Sequence, residues 1–226
     1  MIPLYDANPA RTRPVVIYAI VAACAAAFLY TFYGVGPEPG TAEALRRYGM
    51  IPAALTGRAP PEGVPPSLTL ITSMFLHGGW VHLIGNLWYL WIFGDNVEDA
   101  MGRGRFLLFY LAGGIAGSLA HAFTHPSSTV PTIGASGAIA GVLGAYLVLF
   151  PGARIVSLVP LGWFAQVVEI QAYIYLPLWF LLQFANGILA VGLGGGSMVA
   201  WWAHIGGFAA GVVLGRVLAR RRRPRP

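Results

Sequence analysis

Charged residues are scarce in this sequence. Only 10% of its 226 residues carry a charge, lysine is absent, and 57% are hydrophobic. Water-soluble domains of this length do not show these values, so the composition excludes an ordinary soluble fold and indicates a membrane protein. Cys24 is the only cysteine, which excludes an internal disulfide. We find no internal repeat either, which excludes a solenoid or other repeat architecture.

Long apolar runs are what the sequence has instead. They predict an all-α polytopic membrane protein, a bundle of six transmembrane helices near residues 15–34, 74–94, 106–123, 133–150, 171–193 and 199–219. The first run is too long for the apolar part of a secretory signal, so we expect it to be retained. The region 155–193 is ambiguous, because it could hold two helices or one helix preceded by a surface-lying loop.

The arginines orient the predicted bundle. All basic residues are arginine, and the C-terminal sequence "GRVLARRRRPRP" is rich in them. By the positive-inside rule the C-terminus lies in the cytoplasm, and six spans place the N-terminus there too. We therefore expect a cytoplasmic segment 1–13, a membrane domain 14–219 and an Arg-rich cytoplasmic tail 220–226. The tail is expected to lie near anionic lipid headgroups, and nucleic acid is not an expected partner.

Polar side chains inside the predicted spans are the functional candidates, because placing a polar group in hydrocarbon costs free energy. His82 and Asn86 are four residues apart on the second helix and share one face. Ser136 lies near the start of the fourth helix, and His204 near the start of the sixth. These three helices enter from the same side, so the four side chains share one depth. Two helices in 155–193 would place Ser136 and His204 at opposite membrane faces, so we favour one.

Small residues recur at helical spacing on the fourth and sixth helices. They are Ser136, Ala140 and Gly144, with Gly137 and Gly141 beside them, and Gly207, Gly211 and Gly215. Such stripes let two membrane helices pack with their backbones close together. Packing of this kind at matching depth predicts that Ser136 and His204 come within hydrogen-bonding distance.

A serine with a histidine partner is the minimum for an activated oxygen nucleophile, because imidazole can accept the hydroxyl proton. None of the eight carboxylates is predicted at the depth of His204, so we expect a dyad without an acid. His82, Asn86 and the backbone N–H of Ser136 are candidate donors to an oxyanion.

Three other interpretations remain open on these residues alone. A serine in a glycine-rich span is commonly a packing residue. A small channel or transporter would also hold polar intramembrane residues, although it favours groups spread across the bilayer. His121 and His125 are four residues apart, a spacing that suits a metal, but no carboxylate, Cys or HExxH pattern accompanies them, so no metal site is expected.

Three motifs in chain order, "HGGWVHLIGN", "GASG" and "AHIGG", resemble the signature of the rhomboid family of intramembrane serine proteases. The similarity covers roughly residues 14–219. It implies a serine endopeptidase that hydrolyses peptide bonds in or near transmembrane segments of other membrane proteins, without metal or cofactor. It further implies that Ser136 is the nucleophile, that His204 is the general base, and that His82 and Asn86 help form the oxyanion hole.

The resemblance also extends to neighbouring positions. Gly134 and Gly137 match the glycines around the nucleophile, and His77 matches a histidine near the water-access region of some members. A rhomboid-like protein that binds transmembrane clients without cutting them is the alternative within this superfamily, and the intact Ser136 and His204 argue against it. The resemblance and the compact, arginine-only chain favour a bacterial inner membrane, with the active site toward the outer face.

Overall fold

The computed structural model describes residues 1–35, 39–192 and 199–219, and 67% of it is helical. Nine α-helices occur within those ranges: α1 (Val15–Leu29), α2 (Gly40–Tyr48), α3 (Pro52–Leu55), α4 (Pro66–Thr72), α5 (Trp80–Met101), α6 (Arg103–Thr124), α7 (Ser136–Leu149), α8 (Ala172–Gly192) and α9 (Trp201–Leu218). The predicted tail 220–226 and residue 193, the end of the predicted fifth run, lie outside the described residues.

The helices fit a polytopic membrane protein. In the described residues, four segments are long and apolar enough to cross a bilayer: Val15–Gly34, Arg103–Thr124, Ala172–Leu189 and Trp201–Leu218. The segment Pro66–Phe75 and α5 are bent by 84° and give a fifth if they are taken as one span. Helix α7 is apolar but has only 14 residues. The mostly helical membrane bundle is thus confirmed, whereas the count of six spans stays a prediction.

Helix α7 lies at the centre of the bundle. It contacts α5, α6, α8 and α9, and every residue from Gly137 to Tyr146 is buried. A helix that is apolar on all sides lies either in lipid or among other protein elements, and the burial of α7 shows the second case. Because its neighbours shield α7 from lipid, its length need not match the hydrocarbon thickness as closely as that of an outer helix.

Helices α7 and α9 run parallel with their backbones in contact. Gly207 lies against the carbonyl of Gly137, Gly211 against that of Gly141, and Gly215 against Ala145. The contacts follow the same order along both helices, so both helices begin at the same end of the bundle. The single helix α8 connects them in sequence, in agreement with the interpretation of 155–193 as holding one helix.

The contacts of α7 with α9 come partly from the predicted stripe and partly from the glycines beside it. Gly144 of the stripe lies against the carbonyl of Phe208, and the flanking Gly137 and Gly141 lie against Ala203 and Gly207. The contact face of α7 therefore includes both rows of small residues. Ser136, at the start of the stripe, is partly exposed.

Three strands form an antiparallel sheet in the order β1 (Ile2–Asp6), β2 (Arg154–Leu161) and β3 (Phe164–Gln171). The all-α prediction was therefore wrong for these segments, and the predicted surface-lying loop is a β-hairpin. Leu161 pairs with Phe164, and Gly162 has a φ of 73° in the two-residue turn between them. The apolar run in this region is rich in Val and Ile, which favour strands, but apolar character alone cannot separate a strand from a buried helix.

The N-terminal segment packs against the membrane domain. Strand β1 pairs with β2, the indole N–H of Trp88 donates to the carbonyl of Pro3 at 2.7 Å, and Asn8 donates to Asn96 at 2.8 Å. Residues 1–13 therefore share contacts with α5 and with the hairpin. The predicted boundaries of the three regions of the chain stay a prediction.

Candidate active site

Ser136 and His204 lie at the starts of two parallel helices. Ser136 is the first residue of α7, and His204 lies in the first turn of α9. The Oγ atom of Ser136 is 2.8 Å from Nε2 of His204, although 68 positions separate the two residues in sequence. Both residues are partly exposed, and both lie at the end of the bundle where α7 and α9 begin.

The chain turns sharply just before Ser136. Gly134 has a φ of 116°, a conformation that residues with a side chain rarely adopt. Its N–H donates to the carbonyl of Ser73 at 2.9 Å, and the N–H groups of Met50 and Thr132 donate to each other's carbonyls at 3.0 and 2.8 Å. These bonds fix the loop, so the position at which α7 starts is defined by the surrounding structure.

His82 packs against this loop from α5. The N–H of Gly78 donates to Nδ1 of His82 at 3.3 Å, so in the neutral ring Nδ1 is the acceptor and Nε2 carries the proton. Nε2 is the ring atom nearest to Gly134, because a Cβ added to that glycine would lie 2.6 Å from it. An N–H donor therefore lies beside the loop that leads into Ser136.

Asn86 is one turn further along α5 and is buried. Its Nδ2 donates to the carbonyl oxygen of His82 at 2.8 Å, which anchors the amide to the residue that contacts Gly134. A side-chain amide has two N–H donors, so the second remains available to a ligand. The backbone N–H of Ser136 is a further donor, since the first N–H groups of a helix have no acceptor within it.

His77 lies behind His82 and is fully buried. The two imidazole rings meet edge to face with their centroids 5.1 Å apart, and Nδ1 of His77 is 3.3 Å from the carbonyl of Phe75. His77 therefore contacts a residue of the candidate site.

Gln183 of α8 is a residue that the sequence analysis missed. Its Oε1 is 2.8 Å from Nδ1 of His204, on the far side of the ring from Ser136. The expectation of a dyad considers only carboxylates as partners of His204. The available signal was the amide of Gln183 inside a predicted span. An uncharged polar side chain in hydrocarbon is a functional candidate just as a charged one is.

The paired histidines at the end of α6 stack on each other. The rings of His121 and His125 lie 4.8 Å apart. Across the described ranges, no group of three or more His, Cys, Asp or Glu side chains is arranged to hold a metal ion.

The profile of the rhomboid domain matches residues 66–221, well over half of the chain, and this stretch includes every side chain of the candidate site. The chain belongs to the rhomboid family. It is therefore an integral membrane protein of a family whose members act on transmembrane substrates within the bilayer.

Named relatives of this rhomboid protein come from bacteria and eukaryotes. Rhomboid protease GluP of Bacillus subtilis is 51% identical over 78 residues, 34% of this chain and 15% of that protein. Rhomboid-like protease 5 of Toxoplasma gondii is 35% identical over 155 residues, 65% of this chain and 16% of that protein. The mitochondrial Rhomboid protein 1 of Saccharomyces cerevisiae is 32% identical over 162 residues, 70% of this chain and 43% of that protein. The chain thus spans less than half the length of these three relatives.

Proposed function

We propose that this rhomboid protein is an intramembrane serine endopeptidase that hydrolyses peptide bonds in or near the transmembrane segments of other membrane proteins. The observation that carries the proposal is the 2.8 Å contact between Oγ of Ser136 and Nε2 of His204. Relatives that are named as proteases support it. The proposed reaction uses no metal and no cofactor.

Acylation begins with the hydroxyl of Ser136. As Oγ attacks the scissile carbonyl carbon, Nε2 of His204 accepts the hydroxyl proton and a tetrahedral oxyanion forms. His204 then passes this proton to the nitrogen of the leaving amine as the C–N bond breaks. The products of this step are a free amine and an ester between Ser136 and the acyl half of the substrate.

The oxyanion needs donors that are in place before the reaction. The proposed set is Nε2–H of His82, the amide of Asn86 and the backbone N–H of Ser136. Because Ser136 is the first residue of α7, the positive end of the helix dipole lies at the same point. Gly134 and Gly137 flank the nucleophile, and the absence of a side chain at Gly134 keeps room for His82.

Deacylation repeats the proton transfers with water. His204 accepts a proton from the attacking water, and the ester carbonyl becomes tetrahedral again. The bond from this carbon to Oγ of Ser136 then breaks, the acyl half leaves as a carboxylic acid, and His204 returns the proton to Oγ. Water must reach this position, and both residues are partly exposed. We propose that this end of the bundle faces the outside of a bacterial inner membrane, with both chain termini in the cytoplasm.

The test is cleavage of a single-span reporter by the purified protein in liposomes. The reporter carries small, helix-breaking residues beside its transmembrane segment. We expect a specific cut in the wild type that is lost in both Ser136→Ala and His204→Ala. A fluorophosphonate probe labels an activated serine without requiring a peptide substrate, so labelling of Ser136 is measured in parallel.

The two readouts separate the possible outcomes. Cleavage and labelling that both depend on Ser136 and His204 would support the protease. Labelling without cleavage would keep the activated serine and show that the reporter is not a substrate. A wild-type protein that neither cuts nor reacts would contradict the proposal and favour a rhomboid-like protein that binds transmembrane clients.

A further inference from the structure

The imidazole of His204 has two hydrogen-bonding partners. Nε2 meets the hydroxyl of Ser136, and Nδ1 meets Oε1 of Gln183, each at 2.8 Å. The proposed reaction uses only the first of these contacts. The second comes from α8, which follows the β-hairpin and precedes α9 in the chain.

The contact with Gln183 determines which nitrogen of His204 carries the proton. Oε1 of an amide can only accept a hydrogen bond, so Nδ1 must be the protonated nitrogen. A neutral imidazole then has its lone pair on Nε2, which faces Oγ of Ser136. The other tautomer would direct a lone pair at Oε1 and an N–H at Ser136, and it could not accept the hydroxyl proton.

The ring is also confined by aromatic side chains. The centroid of Trp179 lies 6.1 Å from that of His204, and Trp201 meets the ring edge to face at 6.0 Å. Trp179 and Gln183 are four residues apart, so they lie on one face of α8. Trp179 limits the tilt of the imidazole, and Gln183 limits its rotation in the plane of the ring.

A close approach of α8 to α9 keeps Gln183 in reach. Gly187, one turn beyond Gln183, is so near α9 that an added Cβ would lie 3.3 Å from Cβ of Trp201 and 3.4 Å from Cδ1 of Ile205. Trp179, Gln183 and Gly187 therefore form one row on α8 that faces the first turn of α9. Asn186 lies beside this row, and its amide donates to the carbonyl of Leu182 in its own helix.

We propose that Gln183 is a positioning residue that holds His204 as the Nδ1-protonated tautomer and aims Nε2 at Ser136. The inference rests on the proposed serine protease function and adds a third member to the Ser136–His204 pair. The amide oxygen serves both protonation states, because Nδ1 remains a donor when His204 becomes the imidazolium ion.

The experiment compares three variants of the 226-residue chain. Gln183→Met keeps the length of the side chain and removes the acceptor, Gln183→Glu keeps an acceptor, and Asn186→Leu is the control on the neighbouring face of α8. Loss of the hydrogen bond to the imidazole of His204 predicts a fall in kcat on the order of ten- to a hundredfold for Gln183→Met. We expect an unchanged KM for the reporter, a parallel fall in fluorophosphonate labelling, substantial rescue by Gln183→Glu, and near wild-type kcat in Asn186→Leu.

A spectroscopic readout separates positioning from general damage. In protein labelled with 15N-histidine, we expect the wild type to show Nδ1 of His204 as the protonated nitrogen and Gln183→Met to show a mixture of tautomers. A kcat and a tautomer unaffected by Gln183→Met would overturn the proposal while leaving the protease intact. Equal losses in Gln183→Met and Gln183→Glu with an unchanged tautomer would also overturn it. A wild type without cleavage or labelling would instead remove the proposed function.

Discussion

Gly207 of α9 lies directly against the carbonyl oxygen of Gly137 of α7. This contact is one residue from Ser136 and one turn from His204, so the spacing of the two backbones sets the distance between the reacting side chains. The same relationship recurs between Gly211 and Gly141. At both positions an added methyl group would collide with a main-chain oxygen, which no change of rotamer can relieve.

Gly211→Ala is expected to destabilise the protein and slow cleavage together. The new Cβ would overlap the carbonyl of Gly141, so α9 must move away from α7. Overpacking of this kind costs about 1–3 kcal/mol. His204 lies two turns before Gly211 on the same helix and moves with it. Thermal unfolding in detergent and the rate of reporter cleavage measure the two effects.

Gly104→Ala is the matched control for this substitution. Gly104 lies near the start of α6, and nothing is within 4 Å of an added Cβ there. Alanine is favoured over glycine in a helix, so a small gain in stability and an unchanged cleavage rate are expected. If Gly211→Ala behaved like Gly104→Ala, the contact between α7 and α9 would not control the site.

Gly134→Ala is expected to slow cleavage while the fold persists. The φ of 116° is strained for alanine, and the new Cβ would lie 2.6 Å from Nε2 of His82. Strain of this type costs on the order of 1–3 kcal/mol. If the activation free energy rises by this whole amount, the reaction slows by about 5- to 150-fold. Single-turnover cleavage measures the rate.

Gly57→Ala separates backbone strain from displacement of His82. Gly57 also has a positive φ, 71°, but an added Cβ there has no neighbour within 4 Å. We expect a lower melting temperature and an unchanged cleavage rate. Equal rate losses in Gly57→Ala and Gly134→Ala would mean that general destabilisation, and not the position of His82, lowers activity.

Asn86→Ala is expected to leave measurable activity, in contrast to Ser136→Ala. Loss of one oxyanion donor typically lowers the rate by about 10²–10³-fold, while the other donors remain. Asn86→Asp keeps the size of the side chain but places a carboxylate near the developing oxyanion, so it should be slower still. Complete loss in Asn86→Ala with a lowered melting temperature would show that Asn86 supports the fold and not the chemistry.

The starts of α7 and α9 could be predicted to within three residues because the signal there is local, whereas α5 starts at Trp80 and not near residue 74. Polar residues interrupt apolar runs at His82, Ser136 and His204, and small residues at helical spacing favour close packing. Those two patterns were enough to predict which helices meet and at which end. They could not show that the flanking Gly137 and Gly141 share the contact with Gly144, because helix contacts depend on all neighbours together.

The β-hairpin and Gln183 could not be predicted for a different reason. The strand β2 pairs with β1, which is about 150 residues earlier in the chain. The pattern of an apolar segment does not indicate which distant segment pairs with it. The bond of Gln183 to His204 depends on where α8 begins and how it rotates against α9. Both features arise from long-range packing that a pattern within one segment does not contain.

Asp6 is expected to make the stability of the protein depend on pH. Its Oδ2 accepts hydrogen bonds from the hydroxyl of Tyr146 at 2.5 Å and from Nδ2 of Asn96 at 2.9 Å, far from Ser136 at the other end of α7. Burial, with a smaller contribution from the nearby Asp95, raises the pKa of Asp6 to about 6, against the opposing effect of the Tyr146 hydrogen bond.

A raised pKa means that the folded protein favours the protonated carboxyl. The contribution of Asp6 to stability is therefore fully present below its unfolded pKa of 3.8, falls as the pH rises toward about 6, and stays low above that. Asp6→Asn keeps a neutral acceptor for Tyr146 and Asn96, so it should raise the melting temperature at pH 7–8 and match the wild type near pH 4. Asp6→Ala removes the acceptor and should lower the melting temperature at every pH. The measurement is the melting temperature in detergent from pH 4 to pH 8. An increase in the melting temperature of Asp6→Asn over the wild type that is equal at pH 4 and at pH 7–8 would refute the assignment, because only ionisation of Asp6 makes this increase grow with pH.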